Sequence, residues 1–254
     1  MKNILKKVKI DCTTYLLIIL ALFAGYIKNI FLILLIVLIH EMGHVFFFIL
    51  FKIKIQKITI FPFGGVTYVN KKLHERIYKD VLISLGGIFF QVILGVFFLI
   101  LYNFDFIVSS TYSLFTLYNI RIIIFNILPI IPLDGSKFIF AILSKYLAYR
   151  DSYIIMIVLG IISLFLFIGF NFVYKVNDLI LYVFLIFKLY EVIKESKYVI
   201  NKFYLERVLY NHYYNEIISD DLDIKKMRID KYYFFDIGGK YLNEKDYLRL
   251  YYFK

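Results

Sequence analysis

The chain holds a single cysteine, Cys12, in 254 residues. That excludes a disulfide framework and a cysteine-ligated metal site. Cys12 lies at the edge of an apolar run and reads as a small inert hydrophobe. Proline is nearly as scarce: of three residues, two, Pro129 and Pro132, share one short stretch. Asp+Glu number 19 against 30 Lys+Arg, for a formal net charge of +11. Residues 81–102 and 152–174 carry no charge at all. No repeat and no low-complexity linker is visible. Lys2, Lys6, Lys7 and Lys9 precede the first apolar run, residues 12–27, but no small-x-small cleavage site follows. That run therefore reads as a first membrane span and not a removable signal.

What remains is apolar. Hydrophobic residues make up 61% of the chain and aromatic residues 20%, and the mean hydropathy is +0.76. A soluble domain is about half apolar, so an ordinary globular protein is excluded. Disorder, which needs low hydrophobicity, is excluded too. A bilayer core takes about 20 apolar residues as a helix. Residues 12–27, 30–51, 81–102, 112–133, 152–174 and 176–193 meet that need. The fold class expected is an all-α polytopic membrane protein of about six spans. Residues 136–150 are apolar but short, and read as an interfacial or partly buried helix, with a seventh span as the competing reading.

The basic residues test this topology. Sixteen fall on the N-terminal side of such an arrangement, in residues 2–9, 52–79, 137–150 and 188–194; only Lys28 and Lys175 fall on the other. The positive-inside rule then places both termini in the cytoplasm. Arg121 sits within a span, and Lys188 lies near the end of the last one, where a long side chain can snorkel. The +11 is thus a record of topology and not a nucleic-acid patch, and no nucleic-acid partner is expected. The loop 52–79 can also meet acidic lipid or substrate.

Residues 1–194 read as a membrane domain and 195–254 as a small cytoplasmic α+β tail. The tail is nearly neutral, at a net +1. Tyr232 to Phe235 reads as a strand, Ile237-Gly238-Gly239 as a turn, and Tyr241 onward as a short helix with Asn243 as N-cap. Sixty residues make a marginal core. The tail is therefore expected to pack on a partner, a second copy or the membrane domain.

One motif carries chemistry. His40-Glu41-Met42-Gly43-His44 is HExxH, and on a helix positions i and i+4 share a face, so both imidazoles can bind one metal. Glu41 can then act as general base. With four histidines in the chain, the pattern arises by accident with a chance of roughly 0.002. Ionisable groups within a span are expensive and functional by default.

A catalytic zinc site takes three protein ligands and leaves a position open. His74 and His212 are candidates but lie in polar stretches. Asp134 is the better one. It closes the run Asn126-Ile127-Leu128-Pro129-Ile130-Ile131-Pro132-Leu133-Asp134-Gly135, where two prolines break the helix. Broken backbone inside a membrane is tolerated where it lines a site.

HEMGH within a span, followed by NxLPxxPLDG with 89 residues between His44 and Asp134, resembles the site-2 protease family of intramembrane zinc metalloproteases. Phe61-Pro62-Phe63-Gly64-Gly65-Val66 sharpens the likeness. So does the short loop, which leaves no room for an inserted PDZ domain. Both resemble the stage IV sporulation protease branch. The likeness covers about residues 10–194. It implies one catalytic Zn2+ held by His40, His44 and Asp134, with Glu41 as base. It implies that Asn126 and Pro132 contact substrate or shape the loop. Residues 55–70, with Pro62 and Gly64-Gly65 at the turn, are expected to form a membrane-dipping hairpin whose edge can pair with an extended substrate, with Phe63, Gly64 and Gly65 binding substrate or shaping the loop. Gly86-Gly87, Gln91 and Gly95 stand where the family has a Gly-Pro-x-x-Asn-type stretch, with Pro absent and Gln91 in place of Asn; they read as close helix packing.

The resemblance further implies hydrolysis of a membrane-associated protein, a pro-sigma factor in the mother-cell membrane around the forespore, under restraint by inhibitory membrane proteins. The alternative substrate is an anti-sigma factor or another membrane protein outside sporulation. An inactive scaffold and a transporter are the rival classes. A homo-oligomer is compatible with the sequence. The tail has room for one abbreviated CBS-like unit.

Overall fold

The computed structural model describes residues 8–61, 64–70, 77–170, 176–210, 215–219 and 223–252. The chain falls into two compact units, residues 1–71 with 82–127, and residues 72–81 with 128–254.

The first unit opens with β1 (Val8–Ile10) and α1 (Cys12–Phe23), followed by α2 (Ile27–Leu50). A hairpin of β2 (Lys54–Phe61) and β3 (Gly64–Asn70) precedes α3 (Ile77–Asn103) and α4 (Ser109–Ile127). Helix α2 stops sharply. Lys52 takes a left-handed φ of 58°. Its N–H donates to the Ile49 carbonyl, and the Ile53 N–H donates to the Phe48 carbonyl at 2.8 Å. This is the double hydrogen bond of a Schellman ending, and it turns the chain into β2. Phe48 and Ile53 close the turn in one buried cluster with Ile55, Ile58 and Ile83.

The hairpin matches the expectation from the sequence. Its strands pair antiparallel from Lys54↔Asn70 to Phe61↔Gly64, with a bulge between Ile55 and Lys57. The three residues of β1 add a parallel third strand beside β2, in the order β1-β2-β3. A second cluster, Leu32, Ile36, Leu94, Phe98 and Phe115, ties α2 to α3 and α4. At its centre Phe98 stacks on Phe115 with ring centroids 3.6 Å apart.

The second unit holds α5 (Asp134–Tyr146), α6 (Tyr149–Phe170) and α7 (Val176–Leu209). After these come β4 (Asn215–Ser219), β5 (Lys231–Ile237), β6 (Lys240–Asn243) and α8 (Glu244–Tyr252). The tail sheet runs β4-β5-β6, parallel then antiparallel. Gly238 and Gly239, both at positive φ, make the two-residue turn between β5 and β6. The expected helix from Tyr241 starts later, because residues 240–243 extend the hairpin. Asn243 does cap it, with Oδ1 accepting the Asp246 N–H at 2.9 Å. The tail core of Ile224, Met227, Ile229, Tyr233, Phe235 and Leu248 is completed by Tyr149 of α6 and by Phe203, Tyr204 and Val208 of α7. The tail thus borrows Tyr149 from the start of α6 to complete a core that the end of α7, itself part of the tail, also fills.

Six spans were expected; among the described residues, three helices are long and apolar enough to cross a membrane: α2, α3 and, over Tyr149–Gly169, α6. Residues 12–27 form a helix of only 12 residues. Residues 112–133 form α4 but stop at Ile127, because Pro129 disfavours helix at the residue before it. Helix α5, with 13 residues, is about 20 Å long and too short to span. Helix α7 has 34 residues, roughly 50 Å, more than a bilayer core requires.

Candidate active site

His40, Glu41 and His44 lie on one stretch of α2 and are all buried. The helix can bring them inside because glycine faces glycine. A Cβ on Gly43 would meet the carbonyl carbon of Gly86 at 2.6 Å, so α2 and α3 touch backbone to backbone there. A Cβ on Gly87 would lie 2.6 Å from His40 Nε2 and 2.7 Å from Nδ1. Gly86-Gly87 therefore does more than let two helices approach. Gly87 leaves the space that the His40 ring fills.

Hydrogen bonds fix both rings. His44 Nδ1 lies 2.7 Å from the Ile83 carbonyl, which can only accept, so Nδ1 carries the proton. His40 Nδ1 lies 2.8 Å from Gln91 Oε1. With both Nδ1 atoms donating, both Nε2 atoms present lone pairs. These two nitrogens are 3.1 Å apart. Lone pairs that close repel, and a cation on both reverses the sign. Two ligands on tetrahedral zinc at its usual bond length stand roughly 3.3 Å apart. The donor set fits the metal.

Glu41 points to the hairpin. The Gly65 N–H donates to its Oε1 at 2.9 Å. A Cβ on Gly65 would sit 2.8 Å from Oε2, so only glycine lets the strand reach the carboxylate. Sequence reasoning named Gly64 and Gly65 for the substrate and missed this contact with the base. Phe63 lies outside the described residues, as do His74 and His212.

Within the second unit, Asp134 is the first residue of α5 and is buried. Its Oδ1 accepts from Lys137 Nζ at 2.8 Å. Ser136 holds the break before the helix by donating to the Leu133 carbonyl at 2.6 Å. Pro132 is exposed in this segment. Asn126, at the end of α4, is turned back on its own helix and donates to the Ile122 carbonyl at 3.0 Å. Arg121 is exposed on α4. Among the described residues, those able to serve as metal ligands are His40 and His44 in the first unit and Asp134 in the second, each of them buried.

Residues 28–107 match Peptidase family M50. The chain is 28% identical over 208 residues to stage IV sporulation protein FB of Bacillus subtilis, covering 81% of this chain and 72% of that protein. It is 33% identical over 119 residues to a zinc metalloprotease of Methanocaldococcus jannaschii, covering 46% of this chain and 34% of the relative. A solved site-2 protease from the same archaeon shares the fold at a TM-score of 0.56 and 25% identity, over 74% of this chain and 90% of that one. These likenesses support a zinc metalloprotease of the site-2 type. The resemblance seen in HEMGH and NxLPxxPLDG is borne out, and with it the zinc cofactor. The long apolar helices and the membrane-protease relatives support a membrane protein.

Proposed function

We propose that this chain hydrolyses a peptide bond in or near the membrane and processes a membrane-associated pro-sigma factor during sporulation. The observation that carries the reading is the pair of Nε2 atoms 3.1 Å apart on the helix that bears Glu41. His40, His44 and Asp134 hold the zinc. When bound, zinc supplies a Lewis acid that polarises the scissile carbonyl and acidifies water. Glu41 takes the proton of the attacking water on its carboxylate and passes it to the leaving amine nitrogen. The Gly65 N–H keeps that carboxylate oriented.

The hairpin holds the substrate extended. With β1 paired on the far side of β2, β3 is the edge that a substrate strand joins. Asn126, or backbone N–H groups near the break at Pro129 and Pro132, steadies the developing oxyanion. Six spans place both termini in the cytoplasm, in the mother-cell membrane around the forespore, where inhibitory membrane proteins restrain the enzyme. The tail works as an abbreviated CBS-like unit. The likeness to the sporulation protein supports the choice of substrate. Cleavage of an anti-sigma factor or another membrane protein outside sporulation uses the same site.

Co-expression with a candidate pro-sigma factor tests the reading. Glu41→Gln should keep one zinc per chain and lose cleavage by at least about 100-fold, the scale of a general base. Full cleavage by that variant sinks the mechanism. Activity only toward another membrane protein selects the alternative substrate.

A further inference from the structure

The two histidines are held by partners of different kinds. His44 leans on a main-chain carbonyl that has one face to offer. His40 leans on the side-chain amide of Gln91, which can present either oxygen or nitrogen after a half-turn. If nitrogen faced His40, Nδ1 would have to accept and Nε2 would carry the proton. A protonated Nε2 cannot bind a metal. Something must hold the amide in place.

Gln91 is 0% exposed and Asn119 6%. Gln91 Nε2 donates to Asn119 Oδ1 at 3.3 Å. Asn119 Nδ2 donates to the main-chain carbonyl of Gln91 at 3.2 Å. That carbonyl only accepts, so it dictates which way Asn119 faces. Asn119 Oδ1 then requires the nitrogen of Gln91, and Gln91 Oε1 is left for His40. A Cβ on Gly95 would stand 3.3 Å from Asn119 Nδ2. Gly95 thus keeps open the approach of Asn119 to α3.

We infer that Gln91 and Asn119 are positioning residues that set the metal-binding tautomer of His40, through a chain running from the Gln91 carbonyl through both amides to Nδ1. The inference rests on the zinc reading of the site. It assigns a task to Gln91 and Gly95, which otherwise look like mere packing between α3 and its neighbours, and to Asn119 on α4.

The test uses the full chain in detergent, with zinc affinity measured by competition against a chromophoric chelator. Gln91→Met keeps volume and loses the acceptor, and should weaken zinc binding by about 10- to 100-fold, as loss of an outer ligand partner does. Gln91→Glu keeps an acceptor for Nδ1–H and should stay within about threefold of the parent, because carboxylate partners of metal-bound histidine are common. Asn119→Leu should weaken binding less than Gln91→Met. Because the two act in series, the double variant should be no worse than Gln91→Met within about twofold.

Parental affinity in Gln91→Met, equal losses in Gln91→Met and Gln91→Glu, or additive losses in the double variant would overturn the inference. A parent that binds no zinc, or a His40→Ala variant that binds it unchanged, fails the zinc reading instead. The tautomer is then read directly in the metal-free chain from the 15N shifts of His40. Nδ1–H in the parent with a mixture in Asn119→Leu upholds the chain of amides, and identical shifts end it. The same spectrum decides if Gln91→Met does not fold.

Discussion

Gly87→Ala is the smallest change that tests whether the glycine contact serves the metal site. The added Cβ would lie 2.6 Å from His40 Nε2 and 2.7 Å from Nδ1. An ordinary carbon contact needs about 3.5 Å or more, so the ring or the helix must yield by nearly 1 Å. The backbone has little room, since Gly43 meets Gly86 immediately beside it. The ring is then the part that moves, and a shift of that size disturbs its contacts with Gln91 Oε1 and His44 Nε2. Metal bonds tolerate about 0.2 Å. The expected result is zinc affinity at least about 10-fold weaker, by the scale of outer-partner losses. Misplacement of the ring also lowers cleavage by up to about 100-fold.

Overpacking costs about 1–3 kcal/mol in stability, so folding must be read separately. Far-ultraviolet circular dichroism and thermal unfolding serve for that. Gly169→Ala is the control, because a Cβ there meets nothing within 4 Å. That substitution should leave zinc binding unchanged and stabilise α6 by about 0.5–1 kcal/mol. A Gly87→Ala protein that binds zinc within twofold of the parent would refute the argument, since the ring would then not need the space.

Gly65→Ala should keep zinc and lose turnover by up to about 100-fold, because the new Cβ would sit 2.8 Å from Glu41 Oε2 and displace the base rather than the ligands; zinc affinity and cleavage measured on one preparation separate the two effects, and unchanged turnover removes Gly65 from the account. Arg207→Met should destabilise the tail by about 3–5 kcal/mol, because Arg207 Nη1 meets Glu244 Oε2 at 2.8 Å with both side chains almost wholly buried. Burial already raises the Glu244 carboxyl pKa from 4.5, and Arg207 holds it back. A raised carboxyl gives stability that is present below the unfolded pKa and lost as pH rises through the folded one. The variant should therefore lose stability more steeply than the parent as pH rises above 4.5, read from thermal unfolding across pH, and parallel curves would refute this.

What the sequence made legible follows from how local each signal is. HExxH depends on one helix and its i, i+4 spacing, so it could be read directly. The hairpin was readable for the same reason: its strands, residues 54–61 and 64–70, are neighbours in the sequence. The third strand β1 was not, because three residues pair with a partner about fifty positions away and carry no period of their own. The end of α4 at Ile127 was foreshadowed by Pro129, yet hydropathy alone carried that span on to residue 133. The tail sequence likewise announced a strand, a turn and a cap, but its need for Tyr149 appears only when distant segments meet.

The same reasoning explains why the partners of His40 stayed hidden. Gln91 and Asn119 are single amides 28 residues apart; Gln91 stood out only within the stretch from Gly86 and read there as helix packing, and Asn119 belongs to no spacing pattern. One signal was available. A metal-bound histidine nearly always passes its other N–H to an acceptor, so two histidines inside a span require two acceptors inside the membrane domain. One is satisfied by main chain at Ile83 and leaves no trace in the sequence. The other needs a buried polar side chain, and Gln91 stands in the middle of residues 81–102, which hold no charge. An amide there is costly unless it is bonded at both ends, and it is bonded at both ends because Asn119 takes the one that His40 does not.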